Sequence, residues 1–138
     1  MPEAGSGRDD GKARTLMQFR FGPQDLHGLR ILVVEDEPYL AIAIAEAMRA
    51  RGAEVIGPVG TLEEAMRAVA SHWIDRAVID IDLSGEMSFE VTDRLEAAGI
   101  PYVLATGFSP EALPERLRGK PRLEKPYRIE ALAGLIAA

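Results

Sequence analysis

At 138 residues and 47% hydrophobic, the chain has the size for one domain with a single core, and its net charge of −6 argues against a nucleic-acid-binding surface. The absence of cysteine excludes disulfides, zinc–thiolate sites and thiol nucleophiles and fits a cytoplasmic protein. No apolar run approaches the roughly 20 residues of a membrane span, and MPEAGSGRDDGKAR lacks the apolar stretch of a signal peptide.

Residues 1–28 read as an N-terminal extension, disordered in part, because 1–14 are rich in glycine and charge. TLMQFRFG alternates, with Met17, Phe19 and Phe21 on one side and Gln18 and Arg20 on the other, a strand-like period. This stretch is either a tail on the apolar surface or an edge strand or docking arm. His27 and His72 make no ligand pair.

From 29 to 138 the pattern is regular. Apolar, β-branched runs at ILVV (31–34), EVIGPV (54–59), RAVID (76–80), YVLA (102–105) and RLE (122–124) predict strands. Helical stripes lie between and after them: Leu40, Ala41, Ile44, Ala45, Met48; then Leu62, Ala65, Met66, Val69. Val91, Leu95 and Ala98 form a third, and Ile129, Leu132, Ala133 and Ile136 a last one. Pro38 suits a first helical turn with Asp36 or Glu37 near the cap, and Thr61 suits a cap before LEEA. Alternating strands and helices predict an α/β fold, a doubly wound parallel sheet covered on both faces. In such a sheet ligands bind beyond the carboxyl ends of the strands.

The strand ends carry chemistry. Glu35 and Asp36 follow the first strand, Asp80 ends the third, Thr106 follows the fourth and Lys125 the fifth. Two carboxylates about 4 Å apart repel by roughly 4 kcal/mol at an effective dielectric of 20. Three need a cation, and hard oxygen ligands suit Mg²⁺, which bridges readily to phosphate. Metal, ammonium and hydroxyl together would stabilise a phosphoryl group while a carboxylate attacks it.

ILVVEDEP, VIDIDLSG, LATG and EKPY, in this order, resemble the receiver domain of two-component response regulators over about residues 29–137. The resemblance implies a flavodoxin-like, five-stranded sheet of order 2-1-3-4-5. It implies that Asp80 is the phospho-acceptor, Glu35 and Asp36 the acidic pair, with Asp36 the more direct Mg²⁺ ligand. Asp82 would lend its backbone carbonyl to the metal, Thr106 would be the switch hydroxyl and Lys125 would pair with the phosphate. The phosphoryl group would come from a sensor histidine kinase or a histidine phosphotransferase. The output would be contact with a downstream protein, or none beyond acting as a phosphate sink, with no nucleic acid or membrane partner. A monomer or weak dimer is expected, with no external substrate turnover. Since only LIAA ends the last helix, a free-standing receiver is expected. PYVLATGF and LEKPY resemble, more narrowly, the alphaproteobacterial "FAT GUY" receivers, with Leu104 in place of that motif's phenylalanine.

Two departures from the family pattern matter. Receivers usually carry Tyr or Phe three residues before the lysine, where this chain has Arg122; it is either an exposed edge-strand residue or part of a different switch. In GFSPEALPERLRGKPR, Ser109 could cap a helix opened by Pro110. Pro114 would then cost about 3 kcal/mol past the first turn, so the fourth helix should be shortened or irregular, one short turn after Pro114 or a loop. That stretch is either a plain connector or a segment ordered by phosphorylation. Gly107 would let the backbone approach the phosphoryl group, and Phe108 would shield the acyl phosphate from water.

DIDLS also resembles the nucleophile motif of haloacid-dehalogenase-type phosphatases. In those, however, the acidic pair follows the lysine, and Ser84 fits their motif poorly. A receiver-like binding module that is never phosphorylated is the other alternative. Retention of every acceptor-site residue weighs against it.

Overall fold

A computed structural model of the chain describes residues 25–138. The strands are β1 (Arg30–Val34), β2 (Glu54–Val59), β3 (Arg76–Ile79), β4 (Tyr102–Thr106) and β5 (Arg122–Glu124). They form one parallel sheet in the order β2-β1-β3-β4-β5, the flavodoxin-like order. The helices are α1 (Pro38–Ala50), α2 (Leu62–Ser71), α3 (Phe89–Ala97) and α4 (Ile129–Ala137).

Alternation along each strand divides the core into two layers. Leu32, Val34, Ala77, Ile79 and Leu104 face the layer closed by Ala65 and Ala68 of α2 and Val91 and Leu95 of α3. Ile31, Val33, Val78, Val103 and Ala105 face Ile44 and Met48 of α1 and Leu132, Ala133 and Ile136 of α4. Both faces are therefore dry, which is why the strands read as continuous apolar runs.

The caps follow local chemistry. Glu37 is the N-cap of α1, its side chain accepting the Leu40 N–H at 2.7 Å, with Pro38 opening the helix. Thr61 caps α2 by accepting the Glu64 N–H at 3.1 Å.

The connection between β4 and β5 contains two 3₁₀ turns, Pro110–Ala112 and Glu115–Leu117, rather than an α-helix. Ser109 precedes Pro110 but makes no side-chain capping bond. The segment is pinned by Leu113 and Leu117, both fully buried among the α2 and α3 layer. Two features were not foreseen. Asp82–Leu83 pairs antiparallel with Glu86–Met87 in a short hairpin before α3. Leu26, placed by sequence in the extension, is fully buried, and its N–H donates to Arg51 O at 2.9 Å. The strand-like stretch 15–22 lies outside the described residues.

Candidate functional site

The carboxyl ends of β1 and β3 are adjacent because those strands pair, Val34 opposite Ile79. The ladder continues one bond further, Asp80 N–H donating to Val34 O at 2.9 Å. On the other side Glu35 N–H donates to Val59 O at 2.9 Å. Glu35 and Asp80 thus inherit the rigidity of the sheet and are buried with it, 2% and 4% exposed. Asp36, one residue out, is half-buried.

One oxygen from each of Glu35, Asp36 and Asp80 falls within 4.8 Å of the others, the group among the described residues suited to holding a metal ion. Lys125 enters from the end of β5. Its Nζ donates to Asp80 Oδ2 at 3.0 Å and to Glu35 Oε2 at 3.1 Å. Oε2 also accepts the Glu37 N–H at 3.1 Å, tying Glu35 to the start of α1. Oε1 lies 3.0 Å from the same Nζ but off the hydrogen-bonding direction, and is left without a hydrogen bond among the described residues.

The electrostatics follow from burial. Desolvation first, and then the Glu35 charge, push Asp80 from 3.8 up to about 7, against the lowering pull of Lys125 and the Asp82 N–H. Burial works against the Lys125 ammonium, but its bonds to Asp80 and Glu35 outweigh that and raise its pKa above the ordinary value. The cluster is short of positive charge. Three carboxylates that share one ammonium offer the hard oxygen donors that fit a divalent cation.

Thr106 is fully buried at the end of β4, one strand over from Asp80. Its Oγ1 accepts the Phe108 N–H at 3.0 Å, and its carbonyl accepts the Lys125 N–H at 2.8 Å. Phe108 packs half-buried against the α2 and α3 layer. A Cβ at Gly107 would meet no protein atom within 4 Å, so packing does not demand glycine there. Arg122 is not an exposed edge residue: its side chain is 17% accessible, and Nη1 donates to Phe108 O at 3.1 Å. The backbone of Phe108 is therefore held on both sides of its Cα, the N–H by Thr106 and the carbonyl by Arg122.

Asp82 stands beside the cluster with a divided role. Its N–H donates to Asp80 Oδ1 at 3.2 Å, and its own Oδ1 accepts the Gly85 N–H at 2.6 Å, which ties the carboxylate to the hairpin. Ser84, at φ 57, donates its hydroxyl to Asp36 Oδ2.

Two neighbours of the site escaped the sequence. Ser88 is fully buried, and its hydroxyl donates to Asp80 O at 2.7 Å, bracing the turn that carries Asp80. A serine just before FEVTDRLEA signals a helix cap, yet its side chain makes no capping bond. Tyr127, two residues past Lys125, has a buried hydroxyl without a partner among the described residues.

Residues 31–135 match the response regulator receiver domain family. The chain is similar to the transcriptional regulatory protein PdtaR of Mycobacterium tuberculosis, 30% identical over 107 residues that cover 75% of this chain and 52% of PdtaR. It thus spans about half the length of the curated relatives it matches. The solution structure of SdrG from Sphingomonas melonis Fr1 superimposes with a TM-score of 0.70 at 35% identity, covering 79% of this chain and 93% of SdrG. The receiver domain of the PhyR response regulator from Erythrobacter litoralis also gives 0.70, at 25% identity over 81% of this chain and 89% of that domain. With the sheet order, the acidic strand ends and the lysine of β5 already in place, the match settles the kinship: this chain belongs to the response regulator receiver domain family.

Proposed function

We propose that this chain accepts a phosphoryl group on Asp80 from the phosphohistidine of a sensor histidine kinase or histidine phosphotransferase. It then signals through contacts with another protein, or serves as a phosphate sink. The observation that carries this is Lys125 Nζ bridging two buried carboxylates, Asp80 and Glu35, beside Asp36. Nothing in ordinary packing calls for that much buried charge.

Asp80 is the nucleophile. One of its oxygens attacks phosphorus in line; the P–O bond forms as the P–N bond to the donor imidazole breaks, and the imidazole leaves with the electron pair and takes up a proton. Glu35, Asp36, Asp80 and the backbone carbonyl of Asp82 would hold Mg²⁺, which when bound neutralises phosphoryl oxygens and the carboxylates together. Lys125 turns from Glu35 toward a phosphoryl oxygen and balances its charge. Gly107 leaves room for that group beside Thr106. Phe108, next to it, keeps water from the acyl phosphate.

The signal leaves through Thr106. Its hydroxyl now accepts the Phe108 N–H; as it turns to donate to a phosphoryl oxygen, it loosens its grip on that N–H, while Arg122 still holds the Phe108 carbonyl. Arg122 takes the place of the aromatic residue usual at this position. Phosphorylation shifts the equilibrium of segment 107–121 only by these differential contacts.

Incubation with Mg²⁺ and acetyl phosphate, read by intact mass, is the test. One added phosphate is expected on the wild type and none on Asp80→Asn. Turnover of phosphate monoesters would instead indicate a phosphatase, and no adduct at all a binding module.

A further inference from the structure

The three carboxylates of the cluster are not held alike. Glu35 and Asp80 share the ammonium of Lys125, and both are buried with the sheet. Asp36 stands one residue further out, half-buried. Among the described residues its carboxylate takes part in a single hydrogen bond, accepted at Oδ2 from the hydroxyl of Ser84, 48 positions away in the chain. Ser84 is exposed and lies in the two-residue turn between Asp82–Leu83 and Glu86–Met87. Ser84 and Gly85 both have positive φ, 57° and 96°, a primed turn in which glycine or asparagine is usual. Ser84 is the one non-glycine residue with positive φ among the described residues. A backbone of this kind persists where its surroundings hold it, and here the serine is bonded to a side chain of the site.

The same hairpin is anchored on the acceptor. Asp82 N–H donates to Asp80 Oδ1 at 3.2 Å, and Asp82 Oδ1 accepts the Gly85 N–H at 2.6 Å. We propose that Ser84 is a positioning residue of the metal site. Its hydroxyl holds Asp36 by Oδ2 against the loop that carries the Asp82 carbonyl, and so joins the two cation ligands that lie outside the sheet. A carboxylate that gives one oxygen to Mg²⁺ keeps the other for such a bond, so the tie is the same in the empty and the loaded site. Hydrogen-bonding neighbours of a metal ligand commonly carry about ten- to a hundredfold in affinity. This rests on the Mg²⁺ site proposed above.

Two variants of the full chain test this by thermal melting, first in EDTA and then across a Mg²⁺ series. Ser84→Ala removes the hydroxyl and keeps the Cβ; Ser84→Gly removes the hydroxyl and suits the positive φ. In EDTA the glycine variant should melt at the wild-type temperature or higher, because the backbone there favours glycine. For both variants, a given rise above their own EDTA value should need about tenfold more Mg²⁺ than in the wild type. A Mg²⁺ series that coincides with the wild type in either variant would overturn the assignment; if only the glycine variant shifts, the stiffness of the turn and not the hydroxyl is at work. A clearly lower melting temperature of the glycine variant in EDTA would also overturn it, the hydroxyl then being a tie of the fold. A wild type that Mg²⁺ does not stabilise removes the metal site itself, and Ser84's role with it. A stabilised wild type with coincident variants removes Ser84's role alone.

Discussion

The acidic edge of the sheet and the connection from β4 to β5 meet at Lys125, yet they are held by opposite means. Glu35 and Asp80 end strands whose apolar residues are almost wholly buried, and their backbones are bonded into the ladder. Segment 107–121 has only two 3₁₀ turns, two buried leucines and a fringe of surface ion pairs. Arg116 meets Asp93 at 3.0 Å and Lys120 meets Glu96 at 2.8 Å, all four side chains at least partly open to solvent. The proposed acceptor site thus sits on the most strongly tied backbone of the domain, and the proposed responding segment on backbone with fewer ties, where local opening costs less. A site that must be pre-organised and a surface that must change can share one domain only if their supports differ in this way.

The largest expected effect comes from removing the apolar anchor of the softer region. Leu117→Ala should cost about 2–5 kcal/mol in urea unfolding, while the folded protein still takes up phosphate. A loss under about 1 kcal/mol, well below the core range, would show that the segment is not anchored by its leucines and would sharpen the contrast further.

Next comes the charge of the rigid region. Asp80 binds its proton more tightly in the folded protein, at about 7, than an ordinary aspartate does at 3.8. The stability this provides is therefore complete below about pH 4 and is lost as pH rises through about 7. In EDTA the melting temperature should fall by several degrees between about pH 5 and pH 8. Millimolar Mg²⁺ should raise it and flatten that fall, because a bound cation favours the ionised cluster. A pH-independent melting curve in EDTA would place Asp80 outside the strained cluster described here.

Arg122→Ala tests the joint between the two regions. Amide exchange at Gly107–Ser109 should rise about tenfold in the unphosphorylated protein, as expected on losing one charge-assisted bond. Phosphorylation should then no longer change that rate much, although Asp80 is still modified. A preserved phosphorylation-dependent difference would take Arg122 out of the switch.

The smallest effect belongs to the surface fringe. Arg116→Ala should change stability by no more than about 1 kcal/mol, and less at high salt. A larger loss would mean the ion pairs, rather than the leucines, hold the connection.

Much of this was legible in the residues. Strand and helix periods located the five sheet strands and four α-helices of the described residues to within about three residues, because burial on both faces imposes long apolar runs and amphipathic stripes. Pro110 and Pro114 announced the loss of a regular helix, since proline removes a donor wherever it falls. Glu35, Asp36, Asp80, Thr106 and Lys125 were visible as strand-end residues, and the sheet brings the carboxylates and the lysine together.

What only the tertiary structure decided are the contacts made by groups far apart in the chain or out of pattern. Arg122 reaches back across the strand pair to Phe108 O, a direction no local period encodes. Ser88 looks like a helix cap and instead braces Asp80, because the hairpin after β3 turns it inward. Tyr127 reads as one more aromatic beside the lysine, and only packing shows its hydroxyl buried without a partner among the described residues. Local sequence determines which faces must be dry and where the chain must turn. Which polar atoms are then left in the dark without partners depends on how those faces close on one another, and that is a property of the folded whole.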